Sequence, residues 1–291
     1  KPSKTPPIGD KDSLSDYTGD DNNQPDLSDS DYFYKGDEDD DDFEKLAIVP
    51  EPFDLKLLKR ITEVNGEPVP ERIKSVDVSD LNRVVNGQTV ATTATYKLDK
   101  NPVAVQKGDI ITYTFRVYNE GMKDGYADEI LEDVPDGLEF IFVEDGDTQA
   151  TDDERAASDF NMANGWVGTD ASYRTIKTDK LSRENNTDNL IEAFGKNDGS
   201  KTSNDLKFKE VHVKLKVVAD SISSTPIRNE AAISKDSDEN GNDVDDRDSD
   251  TDQWKKENDT TYYDDDDRWP IYKEDDEDYD NVVLEIFEKG E

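Results

Sequence analysis

The feature that most constrains this chain is that its two ends carry the same acidic sequence in the same order. Residues 10–13 read Asp-Lys-Asp-Ser, and residues 34–43 pass from Tyr-Lys into a run of acids. Residues 246–249 read Asp-Arg-Asp-Ser, and residues 272–279 again pass from Tyr-Lys into acids. So long a repeat period is typical of tandem architectures, in which each unit packs on its neighbours. The sequence therefore predicts a repeated module, with residues 1–45 as the tail of a preceding repeat.

Acidic charge is concentrated in two arms. Residues 1–45 carry fifteen acidic and five basic side chains, net -10, and residues 236–291 carry twenty-four and six, net -18. Together the arms hold -28 of the total charge of -38. Such a charge would repel nucleic acid and anionic membrane surfaces, so neither is an expected partner. Clustered cation ligands are the interpretation favoured here, and a solvated, disordered acidic tail is the alternative.

The chain contains no cysteine, so neither disulfides nor thiol chemistry can stabilise it. No apolar run approaches the length of a membrane span, and we expect no membrane insertion in this segment. A single histidine and the absence of a nucleophile or phosphate-binding motif argue against an enzyme. We therefore expect a structural role for this chain rather than an enzymatic one.

The middle of the chain, residues 46–235, has the pattern of a β-sandwich. Apolar residues alternate with polar ones along residues 111–117 and 211–217, which is the period of a half-buried strand. The segments 53–61, 91–98, 126–134, 138–143 and 227–234 are further strand candidates. Turn signals separate several of these segments, so we predict an all-β sandwich with one core.

One stretch, residues 144–205, departs from the strand pattern and is predicted to be a partly helical insertion. A helix start with acids in its first turn is expected at residues 152–157, and a second short helix at residues 189–194. Insertions on a rigid scaffold tolerate change and often carry binding surfaces. An adhesive role for this insertion, with a host or carbohydrate ligand, is therefore the alternative function.

Four segments together resemble a known family. They are residues 53–59, the Gly-Asp strand at 107–121, the Pro-Asp-Gly-Leu turn within 132–140, and the Asn-Glu-Ala-Ala strand at 229–233. The chain is similar to the conserved-repeat, immunoglobulin-like modules of Gram-positive surface and adhesin proteins, particularly the clostridial type. The resemblance covers about residues 46–290. It implies an immunoglobulin-like sandwich in an extracellular, cell-surface stalk or fibre.

In related modules an intramolecular isopeptide bond joins a first-strand lysine to a late-strand asparagine, with help from a carboxylic acid. The matching positions are Lys59, Asn229 and Glu132. Strand parity independently places each on an apolar face, where an isolated ionised group is costly. Buried together, an amine with a lowered pKa and a carboxyl with a raised pKa could attack and polarise a carboxamide. The alternatives are a Lys59 that reaches solvent, an ordinary hydrogen-bonded Asn229 and a Glu132 on the surface.

Oxygen ligands alternate along the second arm in the pattern of a calcium loop. A run of acids and one asparagine around Gly241 is expected to bind calcium, because the glycine lets the backbone turn round a many-coordinate cation. Further acids in both arms would serve a second site. The predicted ligands are Asp236, Asp238, Asn240, Asp243, Asp245, Asp246, Asp248, Asp250, Asp10 and Asp12. The alternative is a plain turn.

The last apolar segment of the chain is predicted to be a strand that docks on a neighbouring copy, head to tail. Its residues are Val282, Val283, Leu284, Ile286 and Phe287. An apolar strand without a partner tends to add to an exposed sheet edge, and a contact between unlike surfaces can continue into a fibre. The alternative is that the segment folds back on its own module. The sequence thus predicts a calcium-stabilised fibre module whose partners are copies of itself.

Overall fold

The computed structural model describes residues 51–220, 225–247 and 277–284. Strands dominate this part of the chain. In order they are β1 (Leu55–Val64), β2 (Glu67–Pro68), β3 (Ile73–Asp77), β4 (Val84–Val85), β5 (Gln88–Thr89), β6 (Thr95–Leu98), β7 (Val103–Val105), β8 (Ile110–Asn119), β9 (Gly125–Asp133), β10 (Leu138–Phe140), β11 (Val167–Gly168), β12 (Thr175–Thr178), β13 (Phe208–Val217), β14 (Ile227–Asp238) and β15 (Glu277–Leu284). One α-helix, α1, spans Asp152–Ala163 of the described chain, and short 3₁₀ helices span Thr187–Asn189 and Ser203–Asp205.

Two larger sheets form a sandwich, which confirms the predicted all-β fold. The first sheet has the strand order β10-β13-β8-β1-β2, and the second has the order β11-β12-β9-β14-β15-β7. The main core lies between them. It takes alternate residues of β8 and β13, the two strands with the clearest alternation in the sequence. The pairs β3-β6 and β4-β5 form small separate sheets.

The first sheet is covered on both faces. Leu58 and Tyr118 point away from the main core and join a second apolar cluster with Val78, Phe194 and Leu206. Successive side chains of a strand point to opposite faces, so β1 and β8 each contribute to both clusters. As a result β1 is buried along most of its length, including the polar residues that it carries.

The insertion packs closely against the sandwich. Helix α1 begins with a capping box between Thr151 and Glu154, as the acid-rich start at residue 152 predicted. It lies on β13, where Asn161 donates hydrogen bonds to the backbone of Ile141 and Lys214. The second predicted helix, 189–194, is wrong. Its only helical residue ends the 3₁₀ turn Thr187–Asn189, because Ile191 instead pairs with the backbone of Gly125.

Part of the second acidic arm lies inside the sandwich. β14 continues to Asp238, and β15 lies between β14, to which it is antiparallel, and β7, to which it is parallel. The end of β14 and the whole of β15 fall within 236–291, for which the sequence predicted a connector and a terminal strand. No helix in the described ranges is long and apolar enough to span a lipid bilayer.

Candidate functional site

Three polar side chains meet in the middle of the core. Lys59 lies on β1 of the first sheet, and Glu132 lies on β9 of the second. Asn229 lies on β14, two residues before Ala231, which is paired with Glu132. Side chains two residues apart share a face of a strand, so Asn229 and Glu132 face Lys59 across the core. None of the three is more than 1% exposed.

The amine of Lys59 is held between a carboxylate and two aromatic rings. Its Nζ lies 2.5 Å from Oε2 of Glu132. The same atom lies 4.9 Å from the ring centre of Tyr113 and 5.3 Å from that of Phe115. Both rings belong to β8, which pairs with β1 at this level. The aromatic rings exclude water from the amine and leave the carboxyl of Glu132 as its close charged neighbour.

Four buried polar atoms around this pair lack a hydrogen-bond partner in the described part of the chain. They are Oε1 of Glu132, the hydroxyl of Tyr113 and both side-chain amide atoms of Asn229. Asn229 nevertheless lies near enough to Glu132 and Tyr113 for its side-chain amide to lower the pKa of each. Buried polar groups are almost always hydrogen-bonded, and each exception calls for an explanation. Four such atoms occur together at this site.

Burial shifts the pKa values of the pair toward each other. Desolvation lowers the pKa of Lys59, and the attraction of Glu132 offsets only part of that effect. Desolvation raises the pKa of Glu132 to about 7, against the opposing effects of Lys59 and Asn229. Both shifts favour a neutral amine beside a protonated carboxyl. Burial also raises the pKa of Tyr113, which keeps its phenol neutral.

The sequence accounts for the placement of three of these residues and missed the fourth. Lys59, Glu132 and Asn229 alternate with apolar residues on regular strands, so their inward direction follows from parity. Tyr113 lies in the alternating segment 111–117, which predicts only a core position for it. A tyrosine at a core-facing position could have indicated a polar site, because its hydroxyl needs a hydrogen-bond partner that apolar neighbours cannot supply.

The predicted calcium ligands do not converge as a set. Asp236 is buried at 8% exposure, and its Oδ1 has no hydrogen-bond partner in the described ranges. Burial, with added repulsion from Asp246, Asp243 and Asp128, raises the pKa of Asp236 to about 7. Asp243 itself is exposed. Within the described residues, no three acidic or histidine side chains are arranged to hold a metal ion.

Several of the predicted ligands have structural roles instead. Asp238 closes its own turn by accepting hydrogen bonds from the backbone amides of Asn240 and Asn242, while Asn240 itself is exposed. Oδ2 of Asp246 accepts a hydrogen bond from the amide of Leu55 at 2.8 Å. Asp245 is exposed. The remaining predicted ligands, Asp248, Asp250, Asp10 and Asp12, lie outside the described residues.

The predicted docking strand occupies a place in its own module. Val282, Val283 and Leu284 of β15 pair in parallel with Val103–Val105, and Val282 is fully buried in the core. The expected docking on a neighbouring copy is therefore corrected to the fold-back alternative. The slot between β14 and β7 lies within reach of the same chain, so this strand need not find a second copy. Ile286 and Phe287 lie outside the described residues.

The arrangement has a definite chemical capability. It brings together an amine that can be neutral, a carboxyl that can hold or release a proton near pH 7 and a carboxamide, all shielded from water. An amine activated in this way can displace ammonia from a carboxamide and leave a new amide bond. The predicted calcium loop, by contrast, brings no such group of ligands together within the described residues.

The chain has little similarity to known proteins. No protein-family model matches the chain, and no curated protein matches it. One solved structure with a similar course of the chain is the major pilin subunit BcpA of Bacillus cereus, at 11% sequence identity and a TM-score of 0.28. The match covers 79% of this chain and 40% of that one, so this chain spans well under two thirds of the pilin. A likeness at this level carries no functional inference.

Proposed function

We propose that this chain is a structural module of an extracellular, cell-surface fibre or stalk, closed internally by a covalent bond between Lys59 and Asn229. The observation that supports it most is the group of four buried polar atoms without partners around the Lys59–Glu132 pair. A core would normally replace or satisfy such groups, because leaving each one unpaired costs about 1–3 kcal/mol. Formation of an amide bond would replace the NH2 group of the asparagine with a single N–H, so fewer buried donors would need a partner.

The proposed step balances as a single transamidation. Glu132 takes a proton from the Lys59 ammonium, and the neutral Nζ attacks Cγ of Asn229. The carboxyl of Glu132 then returns the proton to the departing Nδ2, so the Cγ–Nδ2 bond breaks and ammonia leaves. Glu132 finally takes the second proton from Nζ, which is left as the N–H of the new amide. One N–C bond forms, one breaks, and nothing is oxidised or reduced. Tyr113, whose hydroxyl neighbours Asn229, is placed to position the carboxamide.

A bond at this place would give the module mechanical strength. Lys59 belongs to the first sheet and Asn229 to the second, so the bond would join the two layers through the core. Force applied to a stalk acts through the chain ends. With the bond in place, the segment from residue 59 to residue 229 could not be drawn out, even if its strands separated.

Single-molecule pulling tests this function. When the chain is stretched by its two ends, we expect an extension shorter than that of an open chain by roughly 600 Å, since each locked residue withholds about 3.6 Å. A Lys59→Met chain should extend fully, because it lacks the amine. Equal extension of the two proteins would show that no bond protects the module.

We further propose that calcium stabilises the loop at residues 236–247. Asp236 supplies a buried carboxylate oxygen without a hydrogen-bond partner among the described residues, and Asp243, Asp245, Asp246 and Asp128 surround it with negative charge. Burial and the repulsion of these neighbours together raise the pKa of Asp236, and a bound divalent cation would offset both effects. Hard cations with many oxygen ligands, such as calcium, suit flexible carboxylate loops better than magnesium does.

Removal of calcium should lower the melting temperature. At a calcium concentration about a hundredfold above the dissociation constant, binding adds about 2.7 kcal/mol to the free energy of unfolding. Chelation should then lower the melting temperature by roughly 5–10 °C. Asp236→Asn should remove this response. Glu239→Gln, an exposed acid in the same loop, serves as the control and should keep it. Thermal unfolding with and without chelator decides the matter, and a calcium response that survives in Asp236→Asn would place the ion elsewhere.

Copies of the same module remain the proposed partners. The adhesive alternative, ligand binding through residues 144–205, also remains a prediction. Its most prominent aromatic residue, Trp166, is buried, and its indole N–H donates to the backbone carbonyl of His212 at 2.7 Å. Because this contact serves packing, no observation specifically favours the adhesive role.

A further inference from the structure

Carboxylates of β15 hold the strand in its slot in addition to its backbone pairing. Oδ2 of Asp278 accepts a hydrogen bond from the amide of Lys59 at 2.7 Å, and Oδ2 of Asp280 accepts one from the amide of Ile61 at 2.9 Å. These amides belong to alternate residues of β1, on the edge that faces away from β8. Two aspartates thus cap β1 where a neighbouring strand would otherwise pair with it.

Two further contacts complete the attachment. Arg72 donates two hydrogen bonds to the carboxylate of Asp280, at 2.6 and 2.7 Å, and both side chains are buried. Oδ2 of Asp246 caps the amide of Leu55 in the same way. Arg247 follows Asp246 and pairs with buried Asp54. The second arm therefore closes the module through acids at defined positions.

The first arm repeats these positions at a shift of 236 residues, although the Tyr-Lys pairs at 34–35 and 272–273 are 238 residues apart. That shift places Asp10 and Lys11 on Asp246 and Arg247. It also aligns residues 39–48, Asp-Asp-Asp-Asp-Phe-Glu-Lys-Leu-Ala-Ile, with residues 275–284, Asp-Asp-Glu-Asp-Tyr-Asp-Asn-Val-Val-Leu. Acids, an aromatic residue and aliphatic residues recur at the same places. The matched pairs are Asp42 with Asp278, Phe43 with Tyr279, Glu44 with Asp280, Leu46 with Val282, Ala47 with Val283 and Ile48 with Leu284.

Residues 39–48 cannot reach the slot of their own module. The caps place Asp278 beside residue 59 and Asp280 beside residue 61, so Leu284 lies level with residue 65 of the first sheet. A strand placed there would leave Ile48 twelve residues along β1 from Phe53, which is about 40 Å at about 3.3 Å per residue. Residues 49–52 connect these two positions, and fully extended they span at most about 18 Å.

We infer that residues 39–48 are a second closing strand, whose binding site is the slot between β14 and β7 of another copy of this chain. There Asp42 and Glu44 cap the partner's β1 edge, Glu44 meets its Arg72, and Leu46 enters its core at the position of Val282. The donating segment and the accepting slot are different surfaces, so the contact is head to tail and can continue into a fibre. The inference goes beyond the internal bond and does not depend on it.

Each module's own β15 competes for the same slot. A strand tethered in the same chain is present at an effective concentration of about millimolar. The wild-type chain should therefore remain monomeric in dilute solution, and loss of β15 should reveal the second strand. The full-length double variant Asp280→Lys/Val282→Asp removes the cap and the apolar anchor of β15. Glu44→Lys/Leu46→Asp makes the matched changes in the first arm.

Sedimentation of four full-length proteins tests the inference. The wild type and the variant altered only in the first arm should be monomeric. The variant altered in β15 should form oligomers that grow with concentration, and the variant altered in both segments should not assemble. Equal assembly of the last two proteins, or a monomeric β15 variant, would overturn the inference.

If the β15 variant does not fold by itself, added peptides can test the same inference. Peptides of residues 37–50 and 273–286 are added to the variant altered in both segments, and cooperative melting and peptide binding are measured. Both peptides should restore melting. Leu46→Asp in the first peptide should weaken its binding roughly tenfold to a hundredfold, which is the factor expected for loss of one buried aliphatic side chain. Rescue by the 273–286 peptide alone would contradict the inference.

Discussion

Lys59→Met should lower the melting temperature by roughly 10–20 °C. The proposed bond closes a loop of about 170 residues, and a crosslink over so long a loop stabilises a protein by about 5 kcal/mol. For a module of this size, that difference corresponds to the stated fall in melting temperature. Methionine keeps much of the lysine's volume, and the unpaired Glu132 can stay protonated because burial raises its pKa to about 7. The loss therefore reflects the missing bond more than a cavity or an uncompensated charge. Thermal unfolding followed by circular dichroism measures it.

Two comparisons separate the bond from ordinary packing. Glu132→Gln keeps the amine and the carboxamide but removes the proton acceptor, so it should also lack the bond and melt early. Lys56→Met alters a half-buried lysine of the same strand and should change the melting temperature little. If Lys59→Met melts within about 2 °C of the wild type, a shift that corresponds to less than about 1 kcal/mol, the proposed bond is absent.

Asp280→Ala should destabilise the module by about 3–5 kcal/mol. The substitution leaves the buried guanidinium of Arg72 without its bidentate partner and the amide of Ile61 without its cap. Breaking a buried ion pair from one side has an effect of this size, because the remaining charge stays buried and uncompensated. The melting temperature should fall by roughly 10 °C or more. Limited proteolysis should then cut the chain near β15 first.

An exposed ion pair provides the control. Lys107 and Asp220 also form an ion pair, with side chains that are 61% and 80% exposed. Asp220→Ala should therefore change stability by less than about 1 kcal/mol. A similarly small effect of Asp280→Ala would mean that the carboxylates do not attach β15, and the inferred role of Asp42 and Glu44 would lose its basis.

The sandwich could be predicted because its long strands follow a simple rule. Along β8 and β13 every second residue is apolar, and the structure places those residues in the core. The same parity directed Lys59, Glu132 and Asn229 inward. Parity, however, fixes only the face of a strand. It gives no register between strands distant in the sequence, so the 2.5 Å contact between Lys59 and Glu132 required the structure.

The sequence of the acidic arms is ambiguous, because a carboxylate can bind a cation or accept a hydrogen bond from a backbone amide. The sequence favoured calcium ligands at Asp238 and Asp246, and the structure shows both accepting backbone hydrogen bonds. The place of β15 depends on pairing with residues 45 or more positions away, which local patterns do not encode. The segment 189–194 failed as a helix for a similar reason, since the pairing of Ile191 with Gly125 outweighs its local preference.

The intact mass of the wild-type chain tests the central claim most directly. With the bond between Lys59 and Asn229, the mass should be lower than the sequence mass by one ammonia. Proteolysis should yield a branched peptide that joins the segments around these two residues. Lys59→Met and Glu132→Gln should each show the full mass of their own sequences. A wild-type chain with its full sequence mass and no branched peptide would contradict the account.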